Sequence, residues 1–366
     1  MIDKLFSRKV IVINFIYSVI LLLHHADADI YFSNIVQTGS WIDSVAHQIN
    51  IWFERTDGIY YFMMLSAFLL YHDLSENNVR GKYKRRIKTL MIPWAVWNLI
   101  GLISYHDFDQ GIGYLLCSYF TSRFCPQIIY VEALIILLLF IPLFIRIFKM
   151  KYVREAVLAA VYLIIYWGVP YLQTADIWPS ELLRSDVTRV LVYVPVYCLG
   201  VYLGLNCAEF VISEEYNNRH RILSLVTALL VIVIPYVFQG GFIGYALGHL
   251  QFAGIWIILS KKYFTFELGW WMHISFYMYV IHNFVLYWEG KMFRMSGLFG
   301  QQFGTSTVTE SFALVWRIML SVVAIPLIMV SAKILIRFVP KFYGALSGGK
   351  IPGEDRWNTE QQDMEQ

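Results

Sequence analysis

Charge is scarce in this chain. Charged residues make up 15% of 366, where a soluble domain averages about 25%. That shortage excludes an ordinary soluble enzyme. The few charges nearly cancel, to a net +3, which offers nucleic acid no electrostatic footprint. Cysteine is sparse as well. Cys117, Cys125, Cys198 and Cys207 form no Cys-x-x-Cys pair and no zinc spacing, so no metal site is expected. Cys117 and Cys125 are candidates for a disulfide if their segment lies outside, and free buried thiols are the alternative. No internal repeat is evident, which counts against a transporter built from inverted halves.

Apolar residues fill the space that charge leaves. They reach 58%, with a mean hydropathy of +0.54. Aromatics reach 17%, with 25 Tyr and 12 Trp, as interfacial belts require. The composition predicts an all-α, polytopic membrane helical bundle. Ten hydrophobic runs predict about ten transmembrane helices, near 10–26, 58–72, 87–105, 127–146, 155–171, 188–205, 222–238, 242–260, 268–288 and 312–336. Residues 1–345 then form one transmembrane domain, and 346–366 a polar cytoplasmic tail without fixed structure. Lys and Arg concentrate on alternate loops. With the N-terminus inside, 21 of the 29 fall on cytoplasmic segments and 7 outside, with Lys333 left within a span. This bias places both termini in the cytoplasm, and the expected membrane is the plasma (inner) membrane. Lys4, Arg8 and Lys9 before the first run, and Ala26-Asp27-Ala28 after it, have the shape of a cleavable signal. The His-His pair at the end of the run argues for a retained helix.

That pair, His24-His25, closes the first span and is followed by Asp27. About 17 apolar residues suffice to cross a bilayer, and imidazoles at the end of such a helix should face protein or water. Asn14 lies 11 residues earlier, about three helical turns, on the same face and about 16 Å away along the axis. The orientation places Glu132, His249, His282 and Arg317 in the outer parts of their spans, at a level shared with His25. Independent packing hydrogen bonds would explain each alone. Their common depth predicts a polar cavity open to the outer side. At the cytoplasmic side, Lys82, Lys84, Arg85, Arg86 and Lys88 lead into the third span. Such a cluster serves as a topology determinant or an anionic-lipid contact, or it can hold phosphates.

Six segments in order resemble the acyltransferase-3 family of integral-membrane O-acyltransferases. Tyr60-Tyr61-Phe62-Met63-Met64-Leu65-Ser66-Ala67-Phe68-Leu69-Leu70 is similar to the family's F-F-x-x-S-G-F/Y-L-L. Tyr83 to Trp94, with Lys84, Arg85 and Pro93, resembles K-R-x-x-x-L-x-x-P-Y/W. Ile129-Tyr130-Val131-Glu132-Ala133-Leu134 resembles W-F/Y-L-x-x-L. Val196-Tyr197-Cys198-Leu199-Gly200-Val201-Tyr202-Leu203-Gly204 resembles F-F-L-L-G-x-x-L-G. Ser275-Phe276-Tyr277-Met278-Tyr279-Val280-Ile281-His282 is similar to S-F-x-x-Y-x-x-H. Arg337 to Pro340, with Ser347 to Lys350, resembles R-x-x-P…T-G-G-R. Two positions depart from the pattern. Asn14 stands where the family has Arg, with ten residues between it and the His, so it offers a hydrogen bond but no charge. Ala67 replaces the Gly after Ser66, which predicts slightly looser helix packing there.

The resemblance implies acyl transfer, most often of acetyl, from acyl-CoA (acetyl-CoA) to a hydroxyl of a glycan, free or lipid-linked. It implies that Lys84, Arg85 and Arg86 hold the CoA phosphates, with Ser66 and Asn14 along the path of the pantetheine arm. His25 is the expected reactive group and His24 its rival by one residue of register. The imidazole acts as a general base or carries the acyl group. Glu132 and His282 are expected to support it. Asp27 or Asp57 would orient it, and Arg317 or Tyr279 would steady the oxyanion. His249 joins the acceptor side, which loops 27–56 and 289–311 would cover. Two other classes remain open: a glycolipid or solute transporter, and a non-catalytic membrane partner of a polysaccharide assembly machine.

Overall fold

The computed structural model describes residues 3–28, 31–55, 58–74, 79–105, 111–175, 181–237, 241–296, 307–349 and 351–352. Every hydrophobic run read from the sequence folds as helix. The first gives α1 (Lys4–His25). A short strand β1 (Asn34–Val36) and helix α2 (Trp41–Arg55) follow. Next come α3 (Gly58–Tyr71) and α4 (Val79–Tyr105), the latter eight residues longer at its start than expected. The basic cluster is therefore helical and not a loop. After α5 (Ile112–Phe120), the fourth run splits into α6 (Ile129–Leu138) and α7 (Ile141–Phe148), bent by 71°. Pro142 at the start of α7 cannot donate to the turn before it, which breaks the run there. Then follow α8 (Arg154–Thr174), α9 (Glu181–Leu191), α10 (Val194–Asn206), α11 (Ala208–Ser213), α12 (Glu215–Arg219), α13 (Arg221–Val237), α14 (Gly241–Ile258) and α15 (Ser275–Ser296). Strand β2 (Thr307–Thr309), α16 (Glu310–Phe338) and α17 (Pro340–Leu346) close the chain's described part.

The molecule is a polytopic, all-α membrane bundle. Among the described residues, six spans are each long and apolar enough to cross a membrane, or seven if α6 and α7 make one broken span. The expected ten is not reached by that measure. α3 has only 14 residues, below the roughly 17 a crossing needs, and α15 carries Glu289 and Lys291 in its last turns. All four cysteines are free thiols, with Cys117 exposed and Cys125 buried, so the disulfide alternative does not hold.

The chain divides into two compact units. One comprises residues 1–13 and 59–267, the other 14–58 and 268–366. In the first unit, α3 and α10 approach closely. A Cβ added at Gly200 would lie 2.3 Å from the Met64 carbonyl oxygen and 2.7 Å from the Ala67 Cβ. Ala67 is fully buried, so the looser packing expected there does not occur: Gly200 on the facing helix supplies the missing volume. The same unit buries an ion pair. Lys9 bonds the Glu214 carboxylate and the Trp256 carbonyl, and its ammonium sits 3.9 Å from the Trp256 ring. Ser260 and the Lys261 amide satisfy the other Glu214 oxygen at 2.9 Å.

In the second unit, α16 packs against α2 and α15, and its sequence explains how. Thr309 caps it, accepting from the Phe312 amide. Ala313, Trp316, Leu320, Ala324, Ile328 and Ala332 form a buried stripe at helical spacing. Val315, Ile318, Val322, Val330 and Ile334 are exposed on the other side, where lipid replaces water as the partner. β1 and β2 pair in parallel, Asn34 with Thr307 and Val36 with Thr309. This pairing joins the two loops expected to cover the acceptor.

Candidate functional site

The site grows from the C-terminal end of α1, in the second unit. A helix end leaves carbonyls without intrahelical partners. Here Arg317, two turns into α16, reaches them. Its Nη1 donates to the Leu23 carbonyl at 2.8 Å and the His24 carbonyl at 3.0 Å. A cation at a helix C-terminus also opposes the negative end of the macrodipole. Nη2 of the same guanidinium pairs with Asp27 at 3.1 Å and lies 3.6 Å from Glu54. Arg317 is 1% exposed, and its fork geometry is what serves carbonyls and carboxylates at once.

Three imidazoles meet at this clamp. His24 uses Nδ1 against the Phe53 carbonyl at 2.9 Å. His25 lies edge-on to His24, ring centres 4.7 Å apart, and stacks on His282 at 5.0 Å with 27° between planes. His282 sits on α15, one turn after Tyr279, and its Nδ1 donates to the Tyr279 carbonyl. That fixes the proton on Nδ1 and leaves Nε2 as a lone pair. Nε2 is buried without a partner. His25 differs from both neighbours in that its ring makes no hydrogen bond among the described residues; like His24 it is half-buried.

Beside the clamp lies a cavity of about 460 Å³, lined by residues of the second unit alone. Arg317, Asp27 and Glu54 belong to both clamp and wall; His25 does not line the cavity. The remaining polar wall comes from α2, the start of α16, and Ser33 and Asn34 at β1. His47 Nδ1 bonds the Glu310 carboxylate at 2.7 Å, and Asn50 Nδ2 bonds it at 2.8 Å. Asp43, one turn before His47, ties the loop after β1 to α16. It accepts from the Thr38 amide and hydroxyl and from the Ser311 amide. Hydrogen bonds from Ser311 and Thr38 hold its carboxyl well below the usual carboxylate range.

Of the other expected residues, Glu132, His249, Lys84, Arg85, Arg86 and Ser66 lie in the first unit, and Asn14 and Tyr279 in the second. Glu132 stands in the first turn of α6 with Ser122 and Arg189 among its neighbours, and its Oε2 is buried without a partner. Ser122 itself takes a left-handed backbone conformation, φ 52°, and accepts from Trp94 Nε1 at 2.9 Å and Asn98 Nδ2 at 3.3 Å. His249 is 4% exposed, enclosed by the rings of Tyr60, Tyr162 and Tyr245 at 4.7–5.5 Å. Lys84 and Arg85 are exposed on α4, Arg86 is half-buried near Tyr130 and Tyr197, and Ser66 is half-buried on α3. Asn14 is half-buried on α1 with Oδ1 unbonded. Tyr279 is buried and contributes its carbonyl to His282. Asp57 lies outside the described residues.

His47, Asn50, Glu54 and Glu310 were not expected at the site. A signal for the first three was present. Asp43, His47, Asn50 and Glu54 recur every three or four residues, one polar stripe on a helix. Trp41, Ile42, Val45 and Ile49 on the opposite side are exposed. α2 therefore turns its polar face inward and its apolar face outward, as a helix lying in a membrane interface does.

A family model described as an acyltransferase domain matches residues 20–332. No curated protein and no solved structure matches the chain.

Proposed function

The chain belongs to the acyltransferase-3 family of membrane acyltransferases, and from that premise we propose that it moves an acyl group, acetyl first, from cytoplasmic acyl-CoA to a hydroxyl of a cell-surface or lipid-linked glycan. The observation that carries the reading is the half-buried His25 ring, stacked on His282 and set at the helix end that Arg317 clamps. His24 and His282 each commit Nδ1 to a backbone carbonyl. His25 keeps its nitrogens for chemistry.

In this reading His25 accepts the proton of the attacking hydroxyl as the new ester bond forms and the thioester C–S bond breaks. The proton then passes from the imidazolium to the departing thiolate. Acyl transfer through His25 itself is the second route. His282 fixes the ring plane, and Arg317 offers positive charge to the developing oxyanion, with Tyr279 nearby on α15. Lys84 and Arg85, exposed on α4, suit phosphates, with Arg86 beside them. Ser66 and Asn14 are assigned to the donor arm. Glu132, His249 and Asp57 are assigned to support of donor and acceptor. The bias of Lys and Arg supports a plasma-membrane protein with both termini cytoplasmic.

The test is turnover of purified protein in lipid nanodiscs. Wild type should release free thiol from acetyl-CoA, faster when glycan acceptor is present. His25→Ala should fold, insert and bind acetyl-CoA while losing at least 100-fold in release. Normal release by that variant removes His25 from the chemistry. A wild-type protein that neither binds nor hydrolyses acetyl-CoA favours transport instead.

A further inference from the structure

We infer that the cavity walled by α2 and the start of α16 is the acceptor subsite, and that it selects a hydroxyl-rich saccharide carrying no negative charge, with an amino sugar admitted. The inference rests on the acyl-transfer reading for its role and adds the chemical class of the acceptor. At about 460 Å³ the cavity lies within the roughly 300–1,000 Å³ range of small-molecule sites.

Its hydrogen-bonding demand points one way. Three carboxylates, Asp27, Glu54 and Glu310, line it against one guanidinium, Arg317. The carboxylates outnumber the guanidinium three to one. Carboxylates only accept hydrogen bonds. Asn50 adds a further acceptor. Its amide nitrogen is committed to the Glu310 carboxylate and carbonyl. Its Oδ1 is buried without a partner, in a residue 4% exposed. On the donor side, Arg317 Nε is the buried atom left without a partner. A ligand that fits must therefore bring donors. Sugar hydroxyls and ammonium groups do so; phosphate and carboxylate bring more acceptors and like charge, which a partly buried site rejects. A metal ion is the other way to satisfy oxygen ligands. Among the described residues no three His, Cys, Asp or Glu side chains are grouped to hold one.

Binding separates this inference from the catalytic one. Saturation-transfer NMR on the full chain in nanodiscs would use a panel of four kinds of sugar. Neutral methyl glycosides, amino sugars, uronic acids and sugar phosphates would all be measured at equal concentration. The sugars that bind should be uncharged or amine-bearing, and uronates and phosphates should bind at least about tenfold more weakly. Ile51→Trp fills the cavity without touching the polar network, and Asn50→Leu removes the orphan acceptor. Both should weaken saccharide binding about tenfold or more while thioester hydrolysis by His25 persists, with thermal melts confirming that each variant folds. Preferential binding of an anionic sugar overturns the inference. So does the absence of any saccharide binding, or binding unchanged in both variants. Loss of thioester hydrolysis in wild type strikes the catalytic reading and leaves the binding result standing.

Discussion

Arg317 is the side chain whose removal should do the most damage. It makes two charge-assisted bonds, to the carbonyls of Leu23 and His24 at 2.8 and 3.0 Å, and an ion pair with Asp27 at 3.1 Å. Arg317→Ala removes the guanidinium donors from those carbonyls and from Asp27. Breaking a buried pair by deleting one partner costs about 3–5 kcal/mol. Arg317→Lys keeps the charge but not the fork, so one ammonium must choose between the carbonyls and the carboxylate. It forfeits about one charge-assisted bond, worth about 1.5–3 kcal/mol. Both variants also loosen the last turn of α1, which carries His25. A displacement of about 1 Å at a catalytic group can lower turnover about 100-fold. The assay pairs SDS-titrated unfolding in mixed micelles with thiol release from acetyl-CoA. The expected order is wild type, then Lys, then Ala, in stability and in kcat alike. An Arg317→Ala protein as stable and as active as wild type would refute the clamp.

Three further outcomes follow from the packing. Lys9→Ala strands the buried Glu214 carboxylate and should cost about 3–5 kcal/mol in the same unfolding titration, whereas Lys9→Met with Glu214→Leu should recover most of it. Gly200→Leu places a side chain against the Met64 carbonyl, where even a Cβ would lie at 2.3 Å; overpacking should lower stability by at least about 1–3 kcal/mol, with little change in acetyl-CoA affinity per folded molecule. Asp43 carries a lowered pKa, so its stabilising effect is complete above the ordinary carboxylate pKa near 3.8 and fades as pH falls through the folded value. The stability gap between wild type and Asp43→Ala should therefore stay flat from pH 5 to 8 and narrow only in strong acid, as read by thermal melts across pH.

Apolar periodicity carried most of the fold. Each of the ten hydrophobic runs became helix because in lipid every backbone group must be satisfied within its own segment. The break between α6 and α7 was also written in the chain, at Pro142, though a hydropathy window averages across it. Of the five ionisable side chains read as one level, His25, His282 and Arg317 do assemble, in the second unit, while Glu132 and His249 have surroundings of their own in the first. The cavity wall was hidden because α2 is short, polar on one face and flanked by loop, so it competed poorly with the apolar runs for notice. The β1–β2 pairing joins residues about 270 apart in sequence, and nothing local encodes a contact so distant.

The choice between His24 and His25 illustrates what periodicity cannot decide. Neighbouring residues on a helix differ by about 100°, so a one-residue error exchanges a structural group for a reactive one. The backbone hydrogen bonds supply the argument for proposing His25. Among the last carbonyls of α1, Leu22 accepts from the Ala26 amide, and Leu23 and His24 accept from Arg317. The His24 ring then pins the adjoining end of α2 through the Phe53 carbonyl. With those groups satisfied, the helix end needs nothing further from its final side chain. The proposal that His25 is the imidazole offered to a substrate rests on this division of labour, in which Arg317 and His24 hold the hydrogen bonds at that terminus.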